Sequence, residues 1–174
     1  MASYNNFCGR GHAVNLNNFG KRELSSAEAD EMEIKPSLKH SSHKVGNNFW
    51  HFEWCTKYRY NMMKRDELKN LVTAAIRKSC KEHRIKIHIL KVLPDHIHML
   101  ATLPNNMTDS KAANLMKGRS SYLIFRNREH VRLRYEKGHF WAPSFFAITV
   151  GFNDLNSMVE YIENQEKHHG LASS

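Results

Sequence analysis

From Phe49 to Cys55 the chain reads Phe-Trp-His-Phe-Glu-Trp-Cys, with Trp50, Phe52 and Trp54 alternating with more polar neighbours. A period of two marks a strand buried on one face, so a strand is predicted over 49–55. The period then changes. Leu68, Leu71, Val72, Ala75, Ile76 and Ser79 recur three and four residues apart, which predicts one long helix, roughly Lys64 to His83, with a basic outer face. Two further strands, Ile85 to Leu93 and His96 to Leu103, are separated by the turn dipeptide Pro94-Asp95 and so form a tight antiparallel hairpin. Thr108 can cap a helix running to about Asn127, and an arginine-rich loop follows. A last strand is expected from His139 to Val150, carried by Phe140, Trp141, Phe145, Phe146, Ile148 and Val150. Gly151 breaks it, and Asp154 caps a final helix ending before Gly170.

The order strand, helix, strand, strand, helix, strand predicts an α+β fold of the ferredoxin-like β-α-β-β-α-β plan: a four-stranded antiparallel sheet with helices on one face. The additional C-terminal helix can cover the other face. On its wheel Leu155, Met158, Val159 and Ile162 form one apolar stripe, Glu160, Asn164 and Lys167 lie opposite, and Tyr161 and Gln165 fall on the shoulder between. Residues 1–45 are polar and rich in Asn and Ser, with only Ser25 to Met32 permissive for helix, and read as an extension that can be flexible. The compact domain is expected over 46–174. No internal repeat is present.

A chain of 174 residues with 41% hydrophobic content is enough for one domain with a sizeable core. Lys and Arg number 26 against 17 Asp and Glu, a formal charge of +9, which points to a polyanionic partner and, first among these, nucleic acid. Cys8, Cys55 and Cys80 are odd in number and lack Cys-x-x-Cys spacing, which disfavours a disulfide framework or zinc ribbon and fits a reducing, cytoplasmic setting. No apolar run is long enough to span a bilayer, and the first thirty residues hold no hydrophobic signal core.

Against that background His96-Ile97-His98 acquires chemical meaning. On a strand His96 and His98 point from the same face, where two imidazoles can share a cation. The triplet alone is weak: 12 histidines in 174 residues give roughly 0.8 such triplets by chance. Its force comes from the last helix, where Tyr161 and Gln165 stand one turn apart and offer a phenol and an amide oxygen to the same ion. A nucleophile beside a cation is what cleavage of a phosphodiester needs. Lys117 and Arg119 on the second helix, with Arg126, Arg128, Arg132 and Arg134 after it, are candidates for contact with the DNA backbone.

With this strand order, Pro94-Asp95-His96-Ile97-His98 and Tyr161-Ile162-Glu163-Asn164-Gln165, the chain resembles the single-tyrosine HUH transposases of the TnpA type found in very small insertion sequences. Trp54-Cys55-Thr56-Lys57-Tyr58-Arg59, Lys117-Gly118-Arg119-Ser120-Ser121 and Phe146-Ala147-Ile148-Thr149-Val150-Gly151 extend the resemblance over roughly His43 to His168. It implies an HUH fold in which His96 and His98 hold a divalent metal, Mg²⁺ or Mn²⁺, which Gln165 completes, while Tyr161 is the nucleophile. It also implies a homodimer acting on single-stranded DNA with hairpin ends, often with each tyrosine helix serving the partner's histidines. Three features depart from the pattern: the N-terminal extension, a single Gly151 where relatives often have paired glycines, and the short stretch of chain after the last helix. Two other readings remain open on residues alone. One is a domesticated, repeat-associated relative with the same chemistry, and the other is a non-catalytic nucleic-acid-binding module that stacks bases on Trp50, Phe52 and Trp54.

Overall fold

The structure, a computed structural model, describes residues 39–41, 44–46, 48–135, 137–151 and 154–165. The stretch Ser25 to Met32 and most of the N-terminal extension therefore lie outside the described residues. A short antiparallel ribbon, β1 (Lys39–Ser41) with β2 (Lys44–Gly46), leads into the domain. The main sheet consists of β3 (Phe49–Cys55), β4 (Lys86–Val92), β5 (His96–Thr102) and β6 (Phe146–Thr149), in the spatial order β4-β5-β3-β6 with every neighbour antiparallel. This is the ferredoxin-like order, with the first and third main strands side by side at the centre.

Helices α1 (Asp66–Glu82) and α2 (Asp109–Asn127) lie within two or three residues of where periodicity puts them. The Thr108 hydroxyl accepts the Lys111 amide at 3.3 Å and so caps α2, while Asp66 and Glu67 place negative charge at the electropositive start of α1. Small residues let the two helices approach closely: Ala75, Ser79, Ala112, Ala113 and Ser120 are all buried. The larger core cluster joins them to the Phe52, Trp54, Ile97, Met99 and Ala101 face of the sheet.

On the opposite face a smaller cluster of Phe49, Leu100 and Val150 receives Leu155 and Ile162 of α4 (Leu155–Glu163), with Met158 and Val159 at its margin. The apolar stripe of the final helix is thus the face it buries, and it covers the β4–β5 half of the sheet. A short helix, α3 (Glu129–Arg132), lies inside the arginine-rich segment expected to be a loop.

The last strand is much shorter than the expected 139–150. Trp141 makes an isolated bridge to Thr56, and Phe140 and Trp141 leave the sheet to fill the main core, where the Trp141 indole donates to Ser120 Oγ at 2.9 Å. Pro143 then removes a ladder donor, and pairing resumes only at Phe146. A run of aromatics satisfied a strand pattern and a core-filling loop equally well.

Candidate active site

The site is built where β3 and β5 run side by side. Their register sets Glu53 opposite His98 and Cys55 opposite His96, so side chains at 51, 53, 96 and 98 emerge from one face. It is the face that α4 partly covers. His96, His98 and His51 are all buried, and the His96 and His98 ring centroids are 5.2 Å apart.

Each imidazole of the pair is held from behind. Asp95 Oδ1 lies 2.5 Å from His96 Nδ1, and Asp95 Oδ2 accepts from Arg59 Nε at 3.0 Å. Burial alone would raise the Asp95 carboxyl, but His96 and Arg59 outweigh it and keep the group below its ordinary range. Arg59 reaches Asp95 from an unusual backbone: Tyr58 and Arg59 have φ of 63° and 51°, a left-handed geometry costing side-chain-bearing residues roughly 1–2 kcal/mol each. Hydrogen bonds from Thr56 to Asp95 O and from Met63 to Pro94 O tie this turn to the β4–β5 hairpin. His51 supports the other imidazole, with His51 Nε2 3.1 Å from His98 Nδ1 and the rings stacked. Burial lowers the His51 pKa and favours its neutral form. A partner on one ring nitrogen fixes the tautomer and orientation of an imidazole, the usual arrangement behind metal-binding histidines.

Glu53, His96 and His98 offer ligand atoms that all lie within 4.8 Å of one another. Donors bound to one small cation at about 2.0–2.2 Å stand roughly 3 Å apart when adjacent and up to about 4.4 Å when opposite, so the side chains would draw inward on binding one. Two imidazoles and a carboxylate form a donor set suited to a divalent metal.

Tyr161 stands over this cluster. Its ring is edge-on to both His51 and His98, with centroids 6.2 Å away in each case, and it is 49% exposed. The side chain is therefore half open to solvent while its ring leans on the imidazoles of the same chain. Gln165, one turn further on, is buried.

The predicted phosphate contacts divide. Lys117 is turned inward: it is buried, and its ammonium donates to the Pro143 and Ser144 carbonyls at 2.9 and 3.0 Å, so it ties α2 to the loop before β6. Burial lowers its pKa, opposed by the nearby Cys55. Arg119 is bidentate on Glu82 at 2.6 and 2.9 Å, and Arg128 pairs with Glu67. Arg126 and Arg134 lie over the exposed rings of Tyr122 and Tyr60, at 6.0 and 5.8 Å, and Arg132 is exposed.

Sequence reasoning missed Glu53, His51, Asp95 and Arg59 as parts of the site. The alternation of 49–55 had already placed His51 and Glu53 on one face, but which strand lies beside them is a matter of register. The non-catalytic stacking surface is also answered: Phe52 and Trp54 are buried beneath the helices, and Trp50 packs against the same core. No helix among the described residues is long and apolar enough to cross a membrane.

A family model described as "Transposase IS200 like" matches residues 44–165. The transposase for insertion sequence element IS200 of Salmonella typhimurium is 28% identical over 127 residues, which cover 73% of this chain and 82% of that one. The ISDra2 transposase TnpA of Deinococcus radiodurans is 26% identical over 119 residues, 67% of this chain and 82% of its own. Among solved structures, a protein of Deinococcus radiodurans described as a transposase superposes with a TM-score of 0.59 at 25% identity, covering 73% of this chain and 97% of that one. A tyrosine transposase bound to a REP hairpin shares the fold, with a TM-score of 0.54 at 19% identity over 76% of this chain and 74% of that one.

Proposed function

Because the chain belongs to the IS200-like transposase family and is a single-tyrosine DNA transposase, we propose that it cleaves and rejoins single-stranded DNA at element ends through a 5′-phosphotyrosine on Tyr161. The observation that supports this most is the edge-on placement of Tyr161 against His98, within one subunit and at the mouth of a His, His, Glu donor cluster. In the first step the phenolic oxygen attacks the scissile phosphorus. A phosphorus–oxygen bond to tyrosine forms as the bond to the 3′ oxygen breaks, the phenolic proton passes to solvent, and the 3′ oxygen takes a proton from solvent and leaves as a hydroxyl. A second DNA 3′-hydroxyl reverses the step and seals a new junction, and because the phosphodiester bond energy is retained on tyrosine, no nucleotide cofactor is needed.

His96 and His98 would hold a divalent cation, Mg²⁺ or Mn²⁺, with Gln165, just past the end of α4, as a further ligand. When bound, that cation supplies positive charge to the non-bridging phosphate oxygens. Asp95, Arg59 and His51 hold the imidazoles in place, and burial keeps competing water away from them. Phe146 and Ile148, exposed on the same sheet face and with Phe146 6.0 Å from His51, offer an apolar floor on which an unpaired base can stack. A duplex hides its base faces; a single strand presents them.

The working unit in this reading is a homodimer recognising hairpin ends, with Arg126, Arg128, Arg132 and Arg134 along the DNA backbone and the domain beginning near residue 46 after an N-terminal extension. The cytoplasm, where DNA and reduced thiols coexist, is its place of action. The test is Tyr161→Phe on end-labelled single-stranded DNA carrying the element's hairpin. The variant is expected to bind the hairpin as the parent does and to form no covalent adduct resistant to denaturing gel electrophoresis. An undiminished adduct would remove Tyr161 from the mechanism.

A further inference from the structure

We propose that Glu53 is a further protein ligand of the cation, the third from the sheet after His96 and His98, so that the sheet alone holds the metal and Gln165 is not needed to retain it. The inference rests on the reading of His96 and His98 as ligands and extends it. Glu53 sits directly across from His98 in the β3–β5 register, and Glu53 Oε2 lies 3.9 Å from His98 Nδ1. Its side chain is 40% exposed where the histidines are buried, so the carboxylate lies on the open side of the cluster, where a hydrated ion enters.

The position itself is informative. Glutamate is disfavoured within strands, and β3 is an interior strand whose neighbours on this face are His51 and, across the ladder, His98 and Phe146. An unpaired carboxylate here would weaken the sheet and gain nothing, whereas one sharing a cation with two imidazoles offsets its own charge. Two imidazole nitrogens and one carboxylate oxygen from adjacent strands would together supply three donors to a divalent cation. The carboxylate also biases the site toward hard cations such as Mg²⁺ and Mn²⁺.

The consequence is a division of labour between sheet and helix. All three proposed donors lie on β3 and β5, while Tyr161 lies on α4 and Gln165 just past its end, so the helix can shift or be exchanged while the ion stays in place.

The experiment is Mn²⁺ titration of the full chain without DNA, followed by electron paramagnetic resonance of the free ion. Glu53→Gln, which keeps shape and removes charge, is expected to weaken binding by roughly tenfold or more. Gln165→Ala is expected to lose strand cleavage while keeping Mn²⁺ affinity within about threefold. Glu53→Asp, with the carboxylate one methylene back, should fall between parent and Glu53→Gln, and circular-dichroism melts verify folding of each. The proposal is overturned if Glu53→Gln binds Mn²⁺ within about threefold of the parent, or if Gln165→Ala weakens binding as much as Glu53→Gln does. His98→Ala separates the two levels: if it abolishes Mn²⁺ binding while Glu53→Gln does not, only the role of Glu53 fails. If His98→Ala also binds normally, the histidine reading fails with it.

Discussion

Asp95 Oδ1 lies 2.5 Å from His96 Nδ1, although the two residues are neighbours in the chain and one ends the hairpin turn that the other leaves. A carboxylate on Nδ1 fixes the tautomer and aims Nε2 at the site. Asp95→Asn keeps the shape and loses the charge. It is expected to weaken divalent-metal affinity by roughly 10–100-fold and to lower cleavage in proportion, with hairpin binding unchanged. Mn²⁺ titration beside a gel-shift assay checks both; full metal affinity in the variant would mean that the contact does not orient His96.

The inward turn of Lys117 separates it from the arginines. Lys117→Met leaves two carbonyls without their donor and is expected to destabilise the fold by about 1–3 kcal/mol, with no change in the salt dependence of DNA binding. Arg126→Ala and Arg134→Ala are expected to behave oppositely, each reducing the slope of log K against log salt by about 0.7 while leaving stability nearly unaltered. Urea melts and salt-titrated gel shifts decide between the two patterns.

Gly118 lies mid-helix in α2, is exposed, and a Cβ added there would meet nothing within 4 Å. Gly118→Ala is therefore expected to stabilise the domain by about 0.5–1 kcal/mol through the smaller entropy of the unfolded chain. A thermal melt showing destabilisation would reveal a constraint on the α2 backbone.

Cys80 sits in the core between α1 and the sheet, and burial raises its thiol pKa from 9.0 to about 12 against the opposing charge of Arg77. The unfolded thiol ionises first as pH rises, so this group's contribution to stability is intact below about pH 9 and declines above it. Alkylation of the native protein at about pH 9 is expected to spare Cys80, which becomes reactive only in denaturant. Mass spectrometry of the alkylated peptides checks this.

How far the sequence could be read depended on the range of each signal. Helix α2 was legible to its ends because Thr108 and the spacing after it are local, and the shared face of His96 and His98 followed from the strand period alone. The nearness of Glu53 to His98 was not legible, because it depends on β3 pairing with β5 in one register. Lys117 was misread for a related reason: a lysine beside Arg119 looks like surface until the segment at 143–144 folds over it. The strand expected from 139 was stopped by Pro143, whose effect the surrounding aromatics masked. The turn at Tyr58 and Arg59 gives no warning in residue type, since neither is a residue that favours left-handed backbone.

The strand order also dictates a timetable for biosynthesis. β3 ends at Cys55 but needs β6, which starts at Phe146, to close its outer flank, and Tyr161 follows later still. A ribosome delivers His96 and His98 before β6 and Tyr161, and the long-range β3–β6 ladder is slow to form. The flank of β3 that pairs with β6 therefore stays open during synthesis until Phe146 to Thr149 have left the ribosome.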